Sequence, residues 1–229
     1  MNETELRARA GKMSWFHNIQ LSPTFVTPGA TDVNDTIRSL KMPERLDGKR
    51  FLDLGTWDGG IAFEAERRGA SEVIAIDIWD DAIYGGCGKG LHPCEKTFRL
   101  AQEVLGSKVQ GIRMDVMDVT PENLGQFDVI SMCGVLYHLR FPLLALEKVR
   151  AICRDLFLLE TLYDLISIPT PAAAFYPGRE FENDPTTWWG GNPPCISAWL
   201  LSAGFRTAEM VTNRFRSGER GRASFQARV

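Results

Sequence analysis

The stretch Arg50-Phe51-Leu52-Asp53-Leu54-Gly55-Thr56-Trp57-Asp58-Gly59-Gly60 constrains this chain more than any other. An apolar run carries a carboxylate near its end, and a glycine turn then opens into a helix-compatible segment. Glycine in such a turn admits a left-handed backbone and lets the main chain approach a ligand where a Cβ would clash. Strand, glycine turn and helix, in that order, form the ligand loop at the carboxyl ends of a parallel α/β sheet. The dinucleotide spacing Gly-x-Gly-x-x-Gly is missing. The spacing present is Asp-x-Gly-x-Trp-x-Gly, from Asp53 through Gly55 and Trp57 to Gly59.

From Lys49 onward the pattern alternates. Strands are expected at Arg50–Leu54, Glu72–Asp77, Val109–Met114, Phe127–Met132 and Leu156–Glu160. Helices are expected at Gly60–Arg68, Glu95–Leu105 and Pro142–Ile152, the last with Pro in its first turn and Leu143, Leu144, Leu146 and Val149 at helical spacing. Short apolar strands alternating with helices predict a doubly wound, mostly parallel sheet, an α/β Rossmann-like fold. A helix at Ile196–Ala203 follows, then strands at Phe205–Thr212 and Ser224–Val229 around a Ser217–Gly221 turn, a closing antiparallel hairpin. Residues 161–194 hold six prolines and Phe175, Tyr176, Trp188 and Trp189 with little periodicity, as expected of a lid or binding loop. The expected organisation is an N-terminal cap over 1–48 and a ligand-binding domain over 49–229 with that lid inserted.

A length of 229 residues suits one large domain, and 44% hydrophobic residues supply a proper core. The net charge of −3 offers no global footprint for nucleic acid. Met1–Glu5 has no apolar signal region, and no apolar run approaches the ~18 residues of a membrane span. The five scattered cysteines read as reduced thiols of a cytoplasmic protein. Cys87, His92 and Cys94 lack a fourth ligand and the Cys-x-x-Cys spacing, so the expectation is no metal.

Two further acids sit where successive strands end. Asp77, about twenty residues after the glycine turn, is placed to accept hydrogen bonds from ribose hydroxyls, with Ile78 beside it. Asp115 and Val116 follow the third strand. Loop, Asp77 and Asp115 together resemble the S-adenosylmethionine (SAM) site of class I methyltransferases, with Trp57 in place of the middle glycine. The resemblance puts Asp53, Gly55, Thr56 and Trp57 at the methionine end of the cofactor, and Asp115 with the next backbone N–H, that of Val116, at its adenine.

Cys133-Gly134-Val135-Leu136-Tyr137-His138 follows the fourth strand, before a Pro and a Leu-rich helix. With Trp15-Phe16-His17, Thr27-Pro28-Gly29 and Leu54–Gly59, it resembles the bacterial tRNA wobble-uridine 5-oxyacetate (carboxymethyl) methyltransferases and their shorter relatives, over nearly the whole chain. The resemblance implies that Tyr137 and Arg222 lie at the cofactor's transferable group and that Cys133 lines the cofactor. The tRNA enzymes carry an extra N-terminal region and a Trp-Arg-Lys-Gly-Pro segment that grips carboxy-SAM, and neither has a counterpart here. The expectation is therefore plain SAM and a small-molecule acceptor, methylated on O or N in specialised metabolism, with tRNA the alternative partner.

His138 and His17 are candidate general bases, since a histidine near neutrality can take a proton from a hydroxyl or amine. The competing reading for each is a structural hydrogen bond. Trp15, Tyr176, Trp188 and Trp189 are candidate substrate walls, against the alternative that they are core. Of Arg214, Arg216, Arg220 and Arg222, strand alternation turns one subset inward, and Arg222 is the member expected at the site.

Overall fold

The computed structural model describes residues 2–79 and 95–229. These form two compact units, one of residues up to 38 together with 43–115, the other of 39–42 together with 116–229.

In the first unit a helix, Glu3–Ala10, is capped by Asn2, whose side chain accepts the Glu5 N–H. The aromatic stretch that follows forms short strands: β1 (His17–Asn18), β2 (Gln20–Ser22), β3 (Phe25–Val26) and β4 (Thr31–Asp32). β1 pairs β4 in parallel, and β2 and β3 form a hairpin. These strands lie where the sequence had offered only aromatic and turn residues. After the helix Val33–Leu40 come β5 (Arg50–Leu54), the helix Gly60–Arg67, β6 (Glu72–Asp77), the helix Glu95–Leu105 and β7 (Gln110–Arg113). β6 lies between β5 and β7, parallel to both. Phe51, Leu52 and Leu54 are buried in succession, as in a strand covered on both faces.

The second unit begins with a 3-10 turn at Val116–Asp118 and a short helix, Pro121–Leu124, closed by a Thr120–Asn123 capping box. β8 (Phe127–Cys133) leads through a second 3-10 turn, Leu136–His138, to the helix Pro142–Ile152. β9 (Cys153–Tyr163) runs parallel to β8. Then come β10 (Ala173–Phe175), β11 (Trp189–Gly191), the helix Pro193–Ser202, β12 (Thr207–Ser217) and β13 (Arg220–Arg228). β13 is antiparallel to both β9 and β12. The fold is thus α/β and Rossmann-like, with a mixed, mostly parallel sheet and antiparallel C-terminal strands.

Several boundaries differ from expectation. β9 extends through Tyr163, because pairing with β13 from Leu156 to Tyr163 satisfies its backbone beyond the apolar run. The last hairpin is longer than expected, leaving Gly218 and Glu219 as its tip. Residues 161–194 include a small ladder in which Ala173, Ala174 and Phe175 pair with Gly191, Gly190 and Trp189. The helix Pro142–Ile152 buries Ala145, Leu146, Val149 and Ile152 and exposes Leu143 and Leu144. Helical spacing alone did not say which of two adjacent stripes faces inward.

Candidate active site

The glycine turn lies at the end of β5. Gly55 has φ +73°, and the N–H groups of Gly55 and Thr56 both donate to the Ile76 carbonyl of β6. Trp57 adopts φ +56°, the left-handed conformation that costs a non-glycine residue roughly 1 kcal/mol. That conformation aims its N–H at Asp77 Oδ2, 2.8 Å away. The Trp57 carbonyl in turn accepts from the Trp79 indole at 2.7 Å.

Asp77 is 6% exposed. Burial raises its pKa to about 6, against the hydrogen bonds from backbone N–H groups, of which that of Trp57 is the largest. The charge of buried Asp53 adds to the rise. Ile78 is half-buried and Asp115 exposed, while Val116, in the second unit, is buried.

Two buried polar atoms in this loop have no hydrogen-bond partner among the described residues: the Thr56 hydroxyl and the Trp57 indole nitrogen. Such groups cost on the order of 1–3 kcal/mol each when unsatisfied. With the acceptor-only carboxylate of Asp77, they make a donor and acceptor set suited to a nucleoside that carries hydroxyls and a carboxylate. The loop fits SAM on those grounds.

His17 and Trp15 are both buried. The buried His17 ring binds through Nδ1 to Asp58, and its own backbone N–H also donates to Asp58, at 3.0 Å. The ring packs so closely on the start of the Gly60–Arg67 helix that a Cβ at Gly60 would lie 2.7 Å from it. These contacts tie the ring to Asp58 and to the start of that helix. Trp15, expected as a substrate wall or as core, is 2% exposed, and its indole donates to the Ala10 carbonyl at the end of the N-terminal helix.

In the second unit, Tyr137, Arg222 and Glu160 form one cluster. The Arg222 guanidinium is held by both Glu160 oxygens, through Nε to Oε1 and through Nη2 to Oε2 at 2.7 Å. Its Nη1 donates to the Tyr137 hydroxyl at 3.2 Å. Burial works against the Arg222 charge, but Glu160 overrides it and holds the pKa above the ordinary value. Burial also raises the Tyr137 pKa, though Arg222 opposes this, so the phenol keeps its proton near neutrality. Gly134, at φ +71°, makes room: a Cβ there would lie 3.3 Å from Arg222 Nη2 and 3.5 Å from the Tyr137 hydroxyl. Glu160 escaped the sequence reading, because it looked like the end of a strand. The one signal available was a charged residue inside an otherwise apolar run.

His138 is half-buried, and its Nδ1 lies 3.0 Å from both the Thr186 carbonyl and the Thr186 hydroxyl. Burial lowers its pKa. A neutral ring donating from Nδ1 to the carbonyl keeps a lone pair on Nε2. Trp188 is tied to the same turn by its N–H, which donates to the Tyr137 carbonyl at 2.8 Å. Arg140 covers the Trp188 ring at 4.0 Å, and Phe175, 53% exposed, lies beside Trp188 and Trp189. Tyr176 is not part of that open face. It is buried with its hydroxyl on Asp164, which Arg220 also grips at 2.9 Å, and it packs on Leu162 and Phe181. It is core of the inserted segment because its partners close over it. Cys133 is half-buried at the end of β8. Cys87, His92 and Cys94 lie outside the described residues.

The fold and its loop define a class, the Rossmann-like SAM-dependent methyltransferases. A sequence profile described as "Methyltransferase domain" matches residues 31–198, so this chain belongs to that family. Among curated proteins it resembles the tRNA U34 carboxymethyltransferases of Saccharophagus degradans (27% identical over 169 residues, 72% of this chain and 47% of that protein) and Pseudomonas paraeruginosa (30% over 183 residues, 78% and 52%). The chain spans about half the length of the curated relatives it matches. Among solved structures, the N-terminal domain of EvdMO1, crystallised in the presence of S-adenosylhomocysteine and D-fucose, superposes with a TM-score of 0.73 at 20% identity, over 100% of this chain and 97% of that one. The 1,6-didemethyltoxoflavin-N1-methyltransferase of Burkholderia thailandensis superposes with a TM-score of 0.54 at 18% identity, over 86% and 75%. Among the described residues, no helix is long and apolar enough to cross a membrane.

Proposed function

We propose that this chain methylates an oxygen or nitrogen of a small molecule that carries a ring, within specialised metabolism. The observation behind this reading is the partly open aromatic face of Phe175, Trp188 and Trp189 with Arg140, hydrogen-bonded to the Tyr137–His138 turn. Such a face stacks a flat or sugar ring, and Arg140 adds a cation over the Trp188 ring. The small molecules crystallised with the structural neighbours support the same direction.

SAM, when bound, supplies an electrophilic methyl and its own leaving group. The chain's residues are assigned by what each can exchange. In the first unit, Asp53, Gly55, Thr56 and Trp57 answer the methionine end, Asp77 with Ile78 the ribose, and Asp115 the adenine. In the second, Val116 and Cys133 line the cofactor, and Tyr137 and Arg222 face the transferred group. His138 Nε2 takes the acceptor's proton, since the lowered pKa keeps the ring neutral and able to do so. Segment 161–194 acts as the lid over the acceptor and 1–48 as the cap. Positioning carries most of the catalysis.

A second reading, wobble-uridine modification of tRNA, is favoured by the curated relatives. Radiolabelled methyl transfer to ring-bearing hydroxyl and amine acceptors, beside bulk tRNA at low and moderate salt, separates the two. The small-molecule reading predicts transfer that is insensitive to salt and no labelled tRNA. Labelled tRNA whose yield falls steeply with salt would replace it with the second reading.

A further inference from the structure

We propose that Phe16 and Asp58 form a latch holding the Trp57 indole N–H ready to donate to the carboxylate of the bound cofactor. This rests on the SAM reading of the loop and names an atom and two positioning residues within it.

Every other hydrogen-bonding group of Trp57 is already engaged. Its N–H reaches Asp77, its carbonyl accepts from the Trp79 indole, and one ring face stacks on Phe16 with centroids 4.5 Å apart and planes 20° from parallel. The indole N–H, buried, has no partner among the described residues. A left-handed backbone and an unsatisfied buried donor side by side are costs that ligand binding offsets.

The latch is built on Asp58, which is fully buried. It accepts the Phe16 N–H at 2.8 Å and the His17 N–H at 3.0 Å, and it binds the His17 ring through Nδ1. The His17 ring meets Phe16 edge-on, at 4.8 Å and 81°. Phe16 is thereby fixed between His17 and Trp57, and the indole cannot turn away from the loop without breaking the stack.

The chemistry of the donors points to the acceptor. Indole N–H only donates, and the adjacent Thr56 hydroxyl, 1% exposed and also without a partner among the described residues, can donate too. Asp77 only accepts and so answers hydroxyls. Two neighbouring donors call for a group with several lone pairs, and the carboxylate at the methionine end supplies them.

Calorimetry on the full chain tests this with two probes: S-adenosylhomocysteine, which has the carboxylate, and 5′-deoxy-5′-methylthioadenosine, which lacks the amino-acid end. Trp57→Phe is expected to weaken the first roughly tenfold, the second less than twofold. Phe16→Ala reproduces the selective loss and Phe16→Tyr restores affinity. Equal losses for both probes, or none, overturn the proposal. A second measurement needs no stable variant: in 15N-labelled wild-type protein, S-adenosylhomocysteine should shift one indole N–H resonance that the truncated probe leaves in place. Indole resonances that respond alike to both probes overturn it. Wild-type protein that binds neither probe would instead overturn the SAM reading itself.

Discussion

The loop around Asp77 and the cluster around Arg222 handle buried polarity in opposite ways. At Arg222, each charge has its partner in place: Glu160 grips two guanidinium nitrogens and Tyr137 receives the third. At Asp77, a carboxyl is held away from water with its pKa at about 6, next to a strained Trp57 and two donors without a partner among the described residues. The first region is assembled without a ligand. The second carries a cost that its own described residues do not offset, and that cost is what the proposed cofactor would relieve.

The largest effect should come from cutting the satisfied cluster. Glu160→Ala leaves the Arg222 guanidinium, mostly removed from water, without its counter-charge. An unfolding free energy lower by about 2–4 kcal/mol in urea melts is expected, less than for a fully buried pair because both side chains keep some solvent contact. A loss below about 1 kcal/mol would make the two regions alike.

Asp77→Asn should act with the opposite sign. The folded carboxyl has a pKa raised above the ordinary value of 3.8, so it favours the folded state fully below that value. That advantage is lost as pH rises from about 4 through about 6, where the folded group must ionise in apolar surroundings. In the ligand-free protein at pH 7, the neutral amide should therefore add about 1–2 kcal/mol to stability and flatten the slope between pH 4 and 6. The same change should weaken S-adenosylhomocysteine binding by roughly 1–3 kcal/mol through lost hydrogen bonds. Destabilisation together with unchanged affinity would place Asp77 among the structural residues.

Tyr137→Phe removes one hydrogen bond from a cluster that retains its ion pair. A stability change of about 0.5–1.5 kcal/mol and a clear drop in turnover are expected, read by urea melts and methyl-transfer rates. Full activity would take the hydroxyl out of the chemistry. The smallest effect belongs to Thr56→Val. Deleting a hydroxyl that has no partner among the described residues should leave ligand-free stability within about 1 kcal/mol, or raise it, while S-adenosylhomocysteine binding weakens several-fold by calorimetry. A strongly destabilised Thr56→Val would mean the hydroxyl is satisfied in solution.

Much of the fold was legible because its signals are local. Apolar runs such as Phe51–Leu54 and Phe157–Leu159, separated by glycine turns, mark strands whatever their partners are. Candidate site residues at strand ends, Asp77 above all, were legible for the same reason. Aromatic side chains were not. Trp15, Tyr176 and Trp188 look alike in sequence, yet the first two are buried with their polar atoms on Ala10 and Asp164, while Trp188 keeps a partly open ring under Arg140.

The sequence by itself determined the order of the longer strands and helices from Arg50 onward, the glycine turn and the acids that follow successive strands, since each depends on residues close along the chain. The tertiary structure decided what those residues meet. Glu160 became the partner of Arg222, 62 positions away, because β9 and β13 pair antiparallel in the register that sets Glu160 opposite Ser224, with Arg222 its diagonal neighbour. His17, read as either a base or a structural hydrogen-bonding residue, meets Asp58, 41 positions away, because the N-terminal strands fold back on the glycine turn. Burial and pairing depend on which distant segments converge, and that convergence set the pKa of Asp77, the partner of His17 and the burial of Trp15.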